Sequence, residues 1–186
     1  MIINLIRHGR TEGNLESRYI GIIDEPLCAG GISELKAKKF PECDAVICSP
    51  MTRCLQTAAI IYPDKKPIVY ENLRECNFGA FEGQSPRELS ENPFYQKWLD
   101  SGGTLPFPGG EMPEDFKNRT CEEFLRAVSE NPYEILSFAV HGGTVMSIME
   151  RFCEPKKGYF DYRVNNGCGY CVSFDGKTIT IISEIK

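Results

Sequence analysis

Short apolar runs alternate along this chain with stretches of helical period. Ile2–Ile6 reads as a buried strand, and so do residues 44–49 (DAVICS), 66–70 (KPIVY) and 134–140 (EILSFAV), because unbroken apolar runs of this length suit a sheet covered on both faces. Between them, residues 33–40, 52–62, 113–130 and 144–152 carry apolar positions at helical spacing. Pro113 followed by Glu114 and Asp115 suits a first helical turn, where proline loses no bond and acid meets the positive dipole end. The tail YCVSFDGKTITIIS differs, since Asp175-Gly176 separates two alternating segments as a hairpin turn does. The pattern predicts one three-layer α/β/α domain over residues 1–186, with a mostly parallel central sheet and an antiparallel edge strand.

Residues 77–113 fit neither period. They hold Gly, Pro, several aromatic residues and the one tryptophan, Trp98, with a helix expected over 85–99. Such an insertion reads either as a lid over a site or as a surface excursion with its own apolar cluster. Phe78, Phe81, Phe94, Tyr95, Trp98 and Phe107 accordingly either line a pocket for a ring-bearing group or pack on one another.

Composition narrows the classes of function. A chain of 186 residues buries roughly 70% of its unfolded surface and needs neither disulfide nor metal to fold. Its net charge of −5 argues against nucleic acid or an anionic membrane as partner, so an anionic ligand must be met by a local cluster of cations. The nine cysteines are odd in number and scattered, and no secretory segment precedes Arg7. They read as reduced thiols of a cytoplasmic protein. Cys168 and Cys171 form a CxxC, but it abuts a strand-like segment and has no second pair, so neither a redox nor a zinc role is expected.

The chain has two histidines, and both sit in the same setting. His8 ends an apolar strand and precedes Gly9; His141 ends another and precedes Gly142 and Gly143, and glycines in these places are expected to permit close approach of a ligand. Arg7 stands beside the first, Arg53 shortly follows a third strand, and Arg74 with Glu75 follows a fourth. In an open parallel sheet these strand ends share one edge, where ligands bind. Arginines and imidazoles against a single carboxylate make a site for a phosphate dianion. One guanidinium 4 Å from a unit negative charge contributes about 4 kcal/mol before desolvation. Arginine neighbours should keep a histidine neutral and nucleophilic. Glu75 is then the group placed to move a proton. Arg74 is an alternative phosphate ligand, with Arg53 preferred because Arg74 adjoins the carboxylate on a loop.

These residues resemble the histidine phosphatase superfamily, in its phosphoglycerate-mutase-like branch. The likeness spans nearly the whole chain: Arg7-His8-Gly9 with Thr11 and Asn14, SPMTRCLQTA around Arg53, LRECNFGAFEG around Glu75, PGGE at 108–111 and VHGG around His141. The resemblance implies a phosphohistidine on His8, with Arg7, Arg53 and His141 around the phosphoryl group and Glu75 as acid and base. It also implies substrate contacts at Asn14, at Gly21 in the GIIDEPLCAGG loop and at Gly142, with no metal and no cofactor. The ECNFGAFEG text lacks the ERHYG-like stretch of the cofactor-dependent mutases. It looks like the phosphatases, including those acting on α-ribazole 5'-phosphate. A phosphoglycerate mutase and a noncatalytic phospho-ligand binding module are the alternatives. The expected partner is a small phosphate ester. Arg10 stands where the family usually has an acid or amide, and its charge is expected to act at the mouth of the site.

Overall fold

The computed structural model describes residues 1–186. Four strands run parallel: β1 (Ile2–Arg7), β2 (Ala45–Cys48), β3 (Ile68–Val69) and β4 (Ile135–Val140). The hairpin of β5 (Gly169–Phe174) and β6 (Ile179–Ile185) completes a sheet of order β3-β2-β4-β1-β5-β6. β5 is antiparallel to both its neighbours and supplies the mixed character of that edge. Six helices accompany the sheet: α1 (Glu12–Leu15), α2 (Ala29–Ala37), α3 (Thr52–Ile61), α4 (Pro93–Asp100), α5 (Pro113–Glu130) and α6 (Gly142–Phe152).

The strands are apolar on both faces because both faces are covered. Ile3, Leu5, Ile47, Leu136 and Phe138 pack with Phe124 of α5 and with Val145, Ile148 and Met149 of α6. On the opposite side, Ile6, Val46, Cys48 and Ala139 pack with Cys54 and Ala58 of α3. The two-residue alternation of each strand feeds these two layers. The segment 66–70 departs from its expected burial. Only Ile68 and Val69 pair, with β2 alone, and they are 36% and 44% exposed. They lie at the sheet margin, whereas Tyr70 beside them is buried in the core as expected.

The insertion also starts its helix later than the pattern suggests. Asn92 caps α4 by accepting from the backbone N–H groups of Phe94 and Tyr95, with Pro93 in the first turn. A residue before proline is disfavoured in helical backbone, so the helix cannot run through Asn92. Phe81, Leu89, Tyr95, Phe107 and Phe116 form a third apolar cluster, joined by Tyr19, Phe78 and Trp98. These rings stack on one another, whereas Phe94 points outward at 60% exposure.

Phe124 touches Phe138, Phe152 and Phe174 and is fully buried. Phe124→Ala is expected to lower unfolding free energy by about 3–5 kcal/mol, read from a urea titration. A loss below about 1 kcal/mol would show that this cluster does not behave as the core.

Candidate active site

Parallel registry assembles the site at the carboxyl ends of the strands. Arg7 pairs with Val140 and Cys48 with Ala139, and the His8 N–H extends the ladder by donating to the Val140 carbonyl. His8 and His141 therefore leave neighbouring strands side by side, with ring centroids 5.3 Å apart. Arg53 lies in the first turn of α3, immediately after β2, and Glu75 follows β3 through a short turn. His8, Arg53, Glu75 and His141 are all buried.

The two imidazoles are oriented by different partners. His8 Nδ1 lies 2.7 Å from the carbonyl oxygen of Gly9. A carbonyl only accepts, so Nδ1 carries the proton and Nε2 keeps its lone pair. His141 Nε2 lies 2.7 Å from the Ser49 hydroxyl. Both histidines are held well below the ordinary imidazole range, first by burial and then by the charge of Arg53, with Arg7 adding to it. Only the arginines are visible in the sequence; desolvation is the larger cause.

The arginines are fixed by carbonyls rather than carboxylates. Arg53 donates through Nη1 to Ile23 and through Nη2 to Gly21, both at 2.8 Å. Arg7 donates through Nη1 to Val164. The Nε–H of each is buried with no partner in the protein, which leaves two cationic donors for an anionic ligand.

Glu75 is docked on the start of α6. Its Oε2 accepts from Gly143 N–H at 3.1 Å and its Oε1 from Cys76 N–H at 3.0 Å. Burial pushes its acidity weaker than that of a free carboxyl, outweighing these N–H bonds and the attraction of Arg53 and Arg7. The carboxyl can thus hold a proton nearer neutral pH, as a general acid must. A cleft of about 400 Å³ opens beside it, lined by Gly21, Ile22, Met51, Arg74, Asn77, Gly110, Glu111 and Arg119 as well as Glu75 itself.

Comparison with known proteins agrees with this geometry. The family model for the histidine phosphatase superfamily (branch 1) matches residues 3–184. The chain belongs to that superfamily. The adenosylcobalamin/alpha-ribazole phosphatase of Escherichia coli K12 is 28% identical over 190 residues, covering 95% of this chain and 92% of that protein. The Shigella flexneri alpha-ribazole phosphatase structure superposes with a TM-score of 0.86 at 24% identity, over 100% of this chain and 96% of that one. A phosphoglycerate mutase structure from Thermus thermophilus gives a TM-score of 0.77 at 27% identity, over 100% of this chain and 99% of that one.

Several residues of this histidine phosphatase have other surroundings than the sequence suggests. Gly9 does not open access to a ligand: a Cβ there would lie 2.6 Å from Leu35 Cδ1, so its lack of side chain serves packing on α2. Arg10 turns away to pair with Glu34, also of α2, so its charge is matched rather than offered at the mouth. Asn14 uses its Oδ1 to accept from Thr11 N–H and from Asn166 Nδ2, leaving its own Nδ2 as the remaining donor. Gly21 lines the cleft, but its N–H is occupied by Glu82. Gly142 packs against Arg7, while the adjacent Gly143 holds Glu75. Arg74 lines the outer cleft. Cys168 contacts Lys38, and both it and Cys171 are free thiols. Ser49 and Thr57, inside the SPMTRCLQTA motif, Glu111, at the end of PGGE, and Arg119, in neither, join the site although none of them is assigned a role from the sequence alone. Thr57 links the site internally, accepting from Gly9 N–H and donating to the Arg53 carbonyl.

The buried neutral histidines set a pH dependence of stability. Below the ordinary histidine pKa the unfolded chain takes up protons that folded His8 and His141 refuse, so acid favours unfolding. Each histidine contributes a loss of about 1.4 kcal/mol per pH unit in that window. His8→Gln should therefore lose less stability than wild type between about pH 6.5 and pH 5, measured by denaturant unfolding at each pH. Parallel curves for the two proteins would sink this account.

Proposed function

We propose that this histidine phosphatase hydrolyses small-molecule phosphate monoesters through a phosphohistidine on His8. The carrying observation is the Nδ1–H bond of His8 to the Gly9 carbonyl, which fixes the tautomer and leaves Nε2 unprotonated beside the charges of Arg53 and Arg7. Nε2 attacks phosphorus as the ester P–O bond breaks, and Glu75 gives its proton to the departing oxygen. Glu75 then takes a proton from a water that attacks phosphorus, the P–N bond breaks, and His8 returns to its neutral form. Arg7, Arg53 and His141 bear on the charge of the transferring group. Asn14 Nδ2 and the Gly142 N–H, at the first position of α6 where no helical carbonyl can receive it, complete the cradle. These groups supply nucleophile, proton and charge without a metal.

We read α-ribazole 5'-phosphate as the leading substrate, supported by the length and coverage of the Escherichia coli likeness. Segment 77–113 contributes Asn77, Gly110 and Glu111 to the cleft, and we take it as the wall facing the leaving group within one domain. No helix is long and apolar enough to cross a membrane. A cytoplasmic enzyme meeting small esters, and neither nucleic acid nor membrane, fits the net charge of −5. The second reading is a phosphoglycerate mutase, favoured by the Thermus thermophilus neighbour.

The test is a phosphate-release assay over α-ribazole 5'-phosphate, sugar phosphates and phosphoglycerates, with and without bisphosphoglycerate. His8→Ala should lose at least about a thousandfold in kcat and the acid-labile phosphoprotein with it. Glu75→Gln should lose about 10²–10⁴-fold on alkyl esters. Isomerised phosphoglycerate that depends on the bisphosphate would establish the mutase instead, and full activity of His8→Ala would end the phosphohistidine mechanism.

A further inference from the structure

Glu75 lies on a stretch that has no regular backbone pairing. Residues 75–78 belong to neither helix nor strand, so their peptide groups need partners from elsewhere. The structure shows where these come from. Arg119 of α5 donates through Nη1 to the carbonyls of Asn72 at 2.7 Å and Arg74 at 2.9 Å, and through Nη2 to that of Glu75 at 3.1 Å. The same guanidinium holds Glu111 by two bonds, Nε to Oε1 at 2.6 Å and Nη2 to Oε2 at 2.9 Å. Glu111 Oε2 in turn accepts from Asn77 N–H at 3.3 Å. The pair is largely shielded, with side chains 18% and 19% exposed.

We propose that Arg119 and Glu111 are positioning residues for proton transfer. They grip the backbone on both sides of Glu75 and set its carboxyl against the start of α6. The inference rests on the reading of Glu75 as general acid. Neither residue needs to touch the phosphoryl group. Arg119 acts as a planar fork that meets several acceptors at once, a task for which a lysine ammonium lacks both the donors and the plane. A small drift of the carboxyl would leave the cradle intact and still spoil proton delivery, because catalysis falls steeply with misplacement of about 1 Å.

That separation gives the test. The leaving group of p-nitrophenyl phosphate departs without a proton, whereas that of glycerol 3-phosphate needs one. Arg119→Lys should lower kcat/KM for glycerol 3-phosphate about 100-fold further than that for p-nitrophenyl phosphate, the scale of general acid catalysis. The double variant with Glu75→Gln should be no slower on glycerol 3-phosphate than Glu75→Gln alone, since coupled residues are not additive. Glu111→Gln carries the same comparison should Arg119→Lys fail to fold, judged by thermal melting. Equal losses on both esters, or additive losses in the double variant, would overturn the positioning role alone. A wild type that hydrolyses neither ester, nor any in the wider panel, would overturn the phosphatase reading and this inference with it.

Discussion

The structure depends on keeping two guanidinium groups at the carboxyl edge of the sheet without a carboxylate of their own. Arg53 is fully buried and Arg7 partly so, yet their charged Nη groups meet backbone carbonyls of the 21–23 loop and of Val164. A carboxylate partner would stabilise either arginine in isolation and would also cancel the field that a phosphate needs. Carbonyl oxygens satisfy hydrogen bonds and leave the net charge standing. The consequences spread outward. The loop at 20–23 is drawn in to serve Arg53, the histidines between the cations are kept neutral, and Glu75 feels the charge of both arginines.

This arrangement explains why a chain of net charge −5 can hold a cationic pocket. The acid is elsewhere, and much of the surface charge is paired locally: Arg10 with Glu34, Arg18 with Glu88, Lys117 with Glu150. Such exposed pairs contribute little to stability. Their effect is to leave the interior arginines as the uncompensated charge that an incoming phosphate meets.

What could be read from the sequence divides along a physical line. Arg7, His8, Arg53, Glu75 and His141 were legible because each follows an apolar strand within a few residues, and a parallel sheet converts that local fact into shared position. The element pattern was legible for the same reason: α5 spans Pro113–Glu130 where its acidic first turn and apolar spacing place it. The roles of Ser49, Thr57 and Glu111, though they lie in the family motifs, and of Arg119 were not, because they depend on contacts between segments separated in sequence, as Arg119 makes with Asn72. Glycines misled in a related way. Gly9 next to a histidine suggests ligand access, but what its missing Cβ accommodates is Leu35 on another element. The burial of Ile68 and Val69, though not of Tyr70, was misjudged because an apolar run does not say whether its strand lies inside the sheet or at its margin.

The Gly142-Gly143 pair shows how closely the two halves of the site are joined. A Cβ on Gly142 would stand 3.4 Å from Arg7 Nε, and one on Gly143 would stand 2.3 Å from Glu75 Oε1. A side chain on the first glycine would make ordinary contact with Arg7, whereas one on the second would collide with Glu75, so successive residues of one helix start meet the arginine and the carboxyl. Both N–H groups belong to the positive end of α6, where a dipole favours an anion on either side. The Gly143 N–H is already bonded to the Glu75 carboxyl, whereas Gly142 packs against the arginine. Both glycines sit on one turn of α6, so the placing of the Glu75 carboxyl joins that helix start to the irregular 74–77 stretch held by Arg119. The second glycine of the HGG sequence is thus required by the close approach of Glu75 and of the Phe116 ring.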